Sequence, residues 1–434
     1  MYQEILEKNL SFIKNQKSYR RFNETIASSV NTLNSKNIIT ISGLRHTGKT
    51  KLTSEILKKT KSFESSFYYN SELDSLWVIK NKQDLITLLD IYVRVYGVPK
   101  IIVLQNTNNI EGIKDFISQL FKTKKYKLII VGNNIKIEGT EDIELFPLGI
   151  DTKNPVNNNF WGIPEVRIVP DTHYKNFLLE ALKHDIISRD ILEAYNIKNI
   201  SLFYQVMSYI AQNPHYLSMR EMHRNLCEHQ IDISLLTMID YVTAAINTKF
   251  LSRCYLYDVK HKNTITSKAQ YFFWDVWIRK SFEESLDFTE NLLYIELLRN
   301  WYEVSGGLSG RFQFAFRANK DGKALSIALD TTWDKNEIRK TARKLAKLWD
   351  SSKKFVIVQN KNSLNMRKFV EEWVKIIEIE EIISEPISWN YWQEKGQEKF
   401  NEIQLSASVE KEGNNYFAKI ILIPLFKKSG QWHK

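Results

Sequence analysis

Residues 43–50 read GLRHTGKT, a full match to G-x-x-x-x-G-K-[ST], and they decide how the chain on either side is read. Before them, Ile38 to Ile41 read as a short buried strand; after them, KTKLTSEILKK carries apolar residues at helical spacing. A strand that turns through a glycine-bounded loop into a helix aims successive backbone N–H groups at one anion, and the helix N-terminus adds partial positive charge. The expected phosphate-binding residues are therefore Gly43, Arg45, His46, Thr47, Gly48, Lys49 and Thr50. Lys49 would reach the outer phosphates and the Thr50 hydroxyl would hold Mg²⁺. ATP and Mg²⁺ are the expected ligands.

Downstream, SSFYYN, KIIVLQN and KLIIVGNN read as further short buried strands, separated by the helical segments KNKQDLITLLDIYVRVYG and IEGIKDFISQLF. Strands alternating with helices predict a parallel sheet covered on both faces, an α/β domain spanning residues 1–150. The strand IIVLQN raises a chemical question. A hydrolysing enzyme of this layout places an Asp, often with a Glu beside it, where this chain has Gln105 and Asn106. Amides keep the size and hydrogen-bonding capacity of carboxylates but carry no charge and take no proton. A lost general base forfeits about 10²–10⁴ in rate. No catalytic acid is assigned; Gln105 and Asn106 stand as a degenerate pair. Glu72, Asp74 and Glu111 follow strands and are candidate substitutes, with exposed loop acids as the plainer reading.

The Pro- and Asn-bearing run DTKNPVNNNFWGIPEV predicts a boundary. From 151 to 285 the pattern is helical and then helix, turn, longer helix and strand, the layout of a winged helix. Met222, Leu226, Ile233, Leu236, Ile239 and Val242 are its candidate core. From 286 to 434 a helix (ENLLYIELLRNWY), alternating strands (RFQFAFRA, ALSIALD), a basic helix (KNEIRKTARKLAKLW) and a strand (KFVIVQ) predict a third module. A terminal hairpin, NEIQLSASV with NNYFAKIILIPLF, would extend it. In the basic helix, Ile338, Ala342, Leu345 and Trp349 share a face at helical spacing. Lys335, Arg339, Lys340, Arg343, Lys344 and Lys347 lie mostly off it. They read either as a solvated surface or as contacts to nucleic-acid phosphates, which would be salt-dependent and indifferent to sequence.

In order and content these segments resemble the prokaryotic AAA-type ATPases fused to a C-terminal restriction-endonuclease-like, PD-(D/E)XK, domain. The resemblance spans roughly residues 20 to 360. It rests on GLRHTGKT, on LIIVGNN with a sensor-like Asn133 between Gly132 and Asn134, and on FPLGI and GIPE. It continues in HDIISRDIL with its Arg189-Asp190 pair and in AQYFFWDVWIRK with Asp275. It implies an AAA-type domain, a winged-helix domain and an α/β nuclease-like domain. In the last, Glu290 or Glu296 would stand on the first helix, and Ala315 and Ala328 occupy positions where an active nuclease carries metal-binding acids. The expected nuclease-like module is therefore inactive, and Asp330 is a possible stand-in of a kind usually found in turns.

Composition sets outer limits. The 434 residues are 43% hydrophobic and 26% charged, with few Gly and Pro, which suits folded domains. The net charge is +11, and residues 311–361 alone carry 13 Lys and Arg against 5 Asp and Glu. DNA, a protein partner or a second copy are the expected partners, with no membrane. No apolar run approaches a membrane span and the N-terminus lacks a signal-peptide pattern, so a cytoplasmic protein is expected. Cys227 and Cys254 form neither a disulfide framework nor a zinc site, and Cys227 is expected in a helix core. The eight histidines show no metal-ligand spacing. Two alternatives remain: an ATPase that recruits carboxylates from elsewhere or from a neighbouring subunit, and a structural subunit with a vestigial phosphate loop.

Overall fold

The computed structural model describes residues 1–16, 23–74, 76–133, 137, 140–149, 162–282, 287–330, 334–348, 350–358, 374–378 and 421–423. The chain divides into two compact units. The first joins Met1–Leu148 to Trp161–Ile200 and Asp240–Leu251, and the second takes Gly149 and Ser201–Ile239 with the described residues from Ser252 onward.

The first unit is built on five strands: β1 (Ile38–Gly43), β2 (Ser66–Asn70), β3 (Ile101–Gln105), β4 (Lys127–Val131) and β5 (Glu141–Leu145). They run parallel in the order β2-β3-β4-β1-β5. β1 and β3 are buried along their whole length, which is why neither shows the strict apolar/polar alternation of a half-exposed strand. β4 lies between β1 and β3, so the phosphate loop after β1, Gln105 at the end of β3 and Gly132-Asn133 after β4 emerge side by side at the carboxyl end of the sheet. Ligands of open α/β sheets bind there.

Helices α1 (Tyr2–Lys14), α2 (Asn23–Lys36), α3 (Lys49–Lys59), α4 (Lys82–Tyr96) and α5 (Ile113–Thr123) accompany the strands. Two apolar clusters form the core. One joins Phe67, Leu104 and Ile130 to Leu88, Tyr92 and Phe116; the other joins Ile39, Val103 and Ile129 to Leu52, Ile56 and Leu33. α4 starts at a capping box, Asn81 accepting from the amide of Asp84 while Asp84 accepts from that of Asn81. The α/β parallel sheet is as expected, with one addition. β5 gives no strand signal in the sequence because EDIEL is acid-rich and only Leu145 within it is buried, as suits an edge. α6 (Pro164–Arg167), α7 (Thr172–Asp185) and a π-helical segment, Ile186–Glu193, complete the unit with the end of α10.

In the second unit, α8 (Ile200–Gln212), α9 (Met219–Glu228) and α10 (Leu235–Asn247, whose latter part belongs to the first unit) precede β6 (Leu251–Asp258) and β7 (Asn263–Phe273). Ser218 and Glu221 cap α9 reciprocally. Met222, Leu226, Ile233 and Val242 are buried as expected, but Leu236 is 74% exposed and Ile239 only half-buried. Met238, Tyr241 and Ala245 bury in their place, because the buried stripe of α10 lies at 238, 241/242 and 245. Cys227 also corrects the expectation: it is exposed on α9 and 3.7 Å from the ring of His223, whereas Cys254 is the buried thiol, pushed up to about 12 by burial.

α11 (Val276–Lys280) and α12 (Thr289–Arg299) lead to β8 (Glu303–Ser309), β9 (Phe312–Lys320) and β10 (Lys323–Asp330), an antiparallel meander. α13 (Lys335–Ala346) and β11 (Lys353–Val358) come next, β11 lying parallel to β10. β12 (Lys375–Glu378) and β13 (Ile421–Ile423) pair with β11, while β8 pairs with β6, giving a mixed sheet of eight strands. β8 is an addition to the expected strands. Its Gly307 lets Phe314 lie flat on the strand, since a Cβ there would sit 1.9 Å from the ring. On α13, Ile338, Ala342 and Leu345 form the buried face; Trp349 and nearly all of the expected hairpin lie outside the described residues.

Candidate nucleotide site

Three residues of the loop after β1 take backbone conformations that its curvature needs. Gly43 has φ 140°, and a Cβ there would fall 2.3 Å from the carbonyl of Leu145 on β5. His46 has φ 64°, and Gly48, the residue before α3, has φ 100°. Thr47 is fully buried and turns its hydroxyl back to the Leu44 carbonyl at 2.8 Å. The loop is thus fixed by its own short contacts, with α3 opening directly behind it.

Lys49 is 8% exposed. Its ammonium donates to the carbonyls of Gly43 and Leu44, each at 2.8 Å, and to Oδ1 of Asn133 at 3.1 Å. These are neutral oxygens. Burial, relieved by the field of Asp190, brings its pKa down to about 7. A buried cation without a bonded carboxylate is well placed to receive an anion.

Thr50 is met from β3. The side-chain amide of Gln105 donates to the Thr50 hydroxyl at 2.8 Å, while its carbonyl oxygen accepts from the Tyr68 hydroxyl at 2.9 Å. Gln105 is 4% exposed, so its amide is held from both sides, between the hydroxyls of Thr50 and Tyr68. Asn106 serves the backbone. It has φ 54°, in the left-handed region that asparagine tolerates best after glycine, and its carbonyl accepts from Ser71 at 2.5 Å.

Acids from distant segments surround the loop. Asp190 accepts from Nε and Nη2 of Arg45 through one oxygen, at 3.0 and 2.5 Å, and from the amide of Asn133 through the other at 2.6 Å. Glu72, just after β2, takes a second bond from Nη2 of Arg45 at 2.5 Å. Burial opposes the charge on Arg45, but the bonds to Asp190 and Glu72 outweigh it and hold the guanidinium far above its usual range. Asp185, at the end of α7, bonds His46 at 3.0 Å and Arg189 at 2.8 Å; the His46 bond above all keeps this carboxyl below its usual range. Lys51 meets Glu165 of the GIPE segment at 2.6 Å.

The structure therefore gathers the expected loop residues with Gln105 and Asn133, and separates the candidate substitute acids. Glu72 is part of the site. Asp74 is buried beside the Ile79 amide and the Tyr69 hydroxyl, and Glu111 is exposed at an isolated bridge with Asn81. Asn134 lies outside the described residues. Of the Arg189-Asp190 pair, Asp190 enters the site while Arg189 stays 56% exposed. Sequence reasoning misses Asp185 and Tyr68: nothing in HDIISRDIL or SSFYYN marks one acid or one tyrosine as facing a loop far away in sequence.

In the second unit, Asp275 caps α11 by accepting from the amides of Trp277 and Ile278. Glu296 pairs with Arg299 at 2.5 Å, whereas Glu290 faces a cavity that Ala315 and Ala328 also line. Asp330 accepts from the Thr341 hydroxyl at 3.2 Å. On α13, Arg343, Lys344 and Lys347 are exposed, Arg339 is half-buried and Lys340 pairs with Glu337 at 3.2 Å; Lys335 begins the helix.

The fold and the loop define the first unit as a P-loop nucleotide-binding domain. Residues 35–144 match the family model described as AAA domain. A protein of Haemophilus influenzae described as uncharacterised is 21% identical over 323 residues, covering 66% of this chain and 80% of its own. Among solved structures, a Walker-type ATPase of Pyrococcus abyssi aligns at 12% identity with a TM-score of 0.45, over 62% of this chain and 98% of its own. A structure of Drosophila ORC bound to AT-rich DNA and Cdc6 aligns at 12% identity with a TM-score of 0.20, over 64% and 94%. No helix among the described residues is long and apolar enough to cross a membrane.

Proposed function

We propose that this chain binds ATP with Mg²⁺ on Gly43 to Thr50 and uses the nucleotide as a conformational or assembly ligand, with weak or no hydrolysis. The residues fit the ligand: a buried Lys49 bonded only to neutral oxygens, a Thr50 hydroxyl at the head of α3, and Arg45 and Asn133 beside them. Bound nucleotide would supply anionic phosphates and their metal. The chain supplies a cation, a metal-facing hydroxyl and donors, but an amide where the metal strand would carry its acid. The Gln105–Thr50 bond carries this reading. Arg45 and Lys49 share Asp190 and Glu72 as counter-charges, so a phosphate arriving there competes with both carboxylates and loosens Ile186–Glu193 from the loop. A nucleotide-dependent change in the protection of that segment in hydrogen exchange, absent in Lys49→Ala, tests it; unchanged protection refutes it.

The winged-helix and inactive nuclease-like readings of the second unit give it a recognition role toward DNA or a protein partner. They are supported by the run helix, turn, helix, strand, strand over α9 to β7, and by Glu290, Ala315 and Ala328 meeting at one cavity. One observation favours a working ATPase instead: Glu72 stands at Arg45 within the electrostatic reach of Lys49. ATP turnover abolished by both Lys49→Ala and Glu72→Gln would establish that alternative. A vestigial loop, the remaining alternative, would leave the melting temperature unmoved by ATP.

A further inference from the structure

A cavity of about 650 Å³ opens in the second unit between α11, α12, β9, β10 and α13. Its floor holds Ala315 and Ala328, and its carboxyls are those of Asp287 and Glu290. No cluster of three or more His, Cys, Asp or Glu able to hold a metal ion occurs among the described residues. A divalent cation needs a cage of oxygen ligands, so this cavity offers it little.

Its cations are arranged differently. Arg311 and Lys344 line it, both are exposed, and neither pairs with a carboxylate among the described residues. Lys344 stands 5.7 Å over the ring of Phe312, which faces the same space. Arg279 is anchored deeper by two bonds to the Ala211 carbonyl, at 3.1 and 3.3 Å. Gln313 and Thr341 also line the wall. The volume falls in the range of about 300–1,000 Å³ that accommodates a ligand of nucleotide size.

We propose that this cavity is a metal-independent receptor for the phosphate ester of one nucleotide unit, the terminal residue of a nucleic-acid strand, held by Arg311 and Lys344 with its base against Phe312. The two side chains supply the positive charge that metal ions supply in a site built on carboxylates. This deepens, and rests on, the reading of the second unit as a nucleic-acid-recognising one. A free mononucleotide carries the same chemistry, and the experiment separates the two.

The full chain is titrated at low salt, in EDTA and without ATP, against a fluorescent 5′-phosphorylated single-stranded oligonucleotide, with dAMP as competitor. Arg311→Glu with Lys344→Glu is expected to weaken binding about tenfold or more and to lower the salt slope by about 2. Ala315→Asp, which puts a negative charge on the floor and leaves both cations in place, should weaken it likewise. Melting curves confirm that each variant folds. Unchanged affinity in these variants, with loss in Lys340→Glu/Lys347→Glu, would overturn the cavity and leave the nucleic-acid reading standing. Binding that disappears in EDTA would overturn metal independence. No strand binding by the wild type overturns the nucleic-acid reading; if dAMP still binds with the same dependence on Arg311 and Lys344, the ligand is the free nucleotide.

Discussion

Gln105 gives an amide N–H to the hydroxyl of Thr50 across 2.8 Å, and Tyr68 closes the other side of the same amide. On the proposed reading, this contact stands where a metal's acid and alcohol ligands would meet, without the charge.

Restoring the charge should restore chemistry. Gln105→Asp is expected to raise Mg²⁺-dependent ATP turnover about tenfold or more once Asn106→Glu adds a base, out of the about 10²–10⁴ that a positioned base contributes. Asn106→Glu carries a separate cost of about 1 kcal/mol, because its φ of 54° disfavours glutamate. The double variant should therefore melt lower while hydrolysing faster. An unchanged rate in a steady-state phosphate-release assay would show that β3 is not the metal strand.

Lys49 makes ATP affinity depend on pH. Free protein gives up this proton near 7, while bound phosphates would hold it. Affinity should fall about tenfold per pH unit between 7 and 9, with uptake of up to one proton at pH 8 in calorimetry across buffers of different ionisation enthalpy. The unfolded chain keeps the proton to about pH 10. Stability without nucleotide is therefore lost as pH falls through this window, and Lys49→Met should melt higher than wild type at pH 7 while losing its ATP-induced shift.

Asp190→Ala leaves Arg45 buried with Glu72 and, at 4.0 Å, Asp185 as its remaining acidic partners, and removes the acceptor of the Asn133 amide. A destabilisation of about 3 kcal/mol is expected, as for other broken buried ion pairs. ATP should recover part of it by supplying negative charge to Arg45. A melting temperature equal to wild type without nucleotide would show that the pair contributes nothing.

Glu290 titrates in the opposite sense. Burial raises its carboxyl to about 7, partly offset by Gln270 and Arg279. The stability it allows is full below about pH 4.5 and is lost as pH rises through 7, so Glu290→Gln should match wild type at pH 5 and exceed it at pH 8 by at most about 3 kcal/mol. Denaturation midpoints at the two values measure this; equal differences at both would exclude a buried, titrating carboxyl.

The first unit is legible where burial on both faces makes a strand read as a mostly apolar, β-branched stretch, as in IITIS and IIVLQ, and where the loop motif fixes the strand before it and the helix after it. β5 escapes because EDIEL buries a single side chain. The site is half legible: Lys49, Thr50, Gln105 and Asn133 announce themselves by position relative to strand ends. Asp185 and Glu72 are ordinary acids until the fold brings them to His46 and Arg45. In α10 the discrepancy is one of phase, since apolar residues occur on several faces and spacing alone does not choose Met238 over Leu236. Choosing Glu290 over Glu296 needs the structure too, because the distinction is which one Arg299 neutralises.

Asp190 divides its two oxygens between Arg45 in the phosphate loop and Asn133 beyond β4. For anyone retuning this protein toward another nucleotide, that division sets an order of operations. Glu72 bonds one side chain, Arg45, and reaches Lys49 only through its charge, so it can be varied before position 190. Position 190 serves two clients at once, so a library that randomises it samples mostly broken frames, and it belongs among the last positions to be diversified.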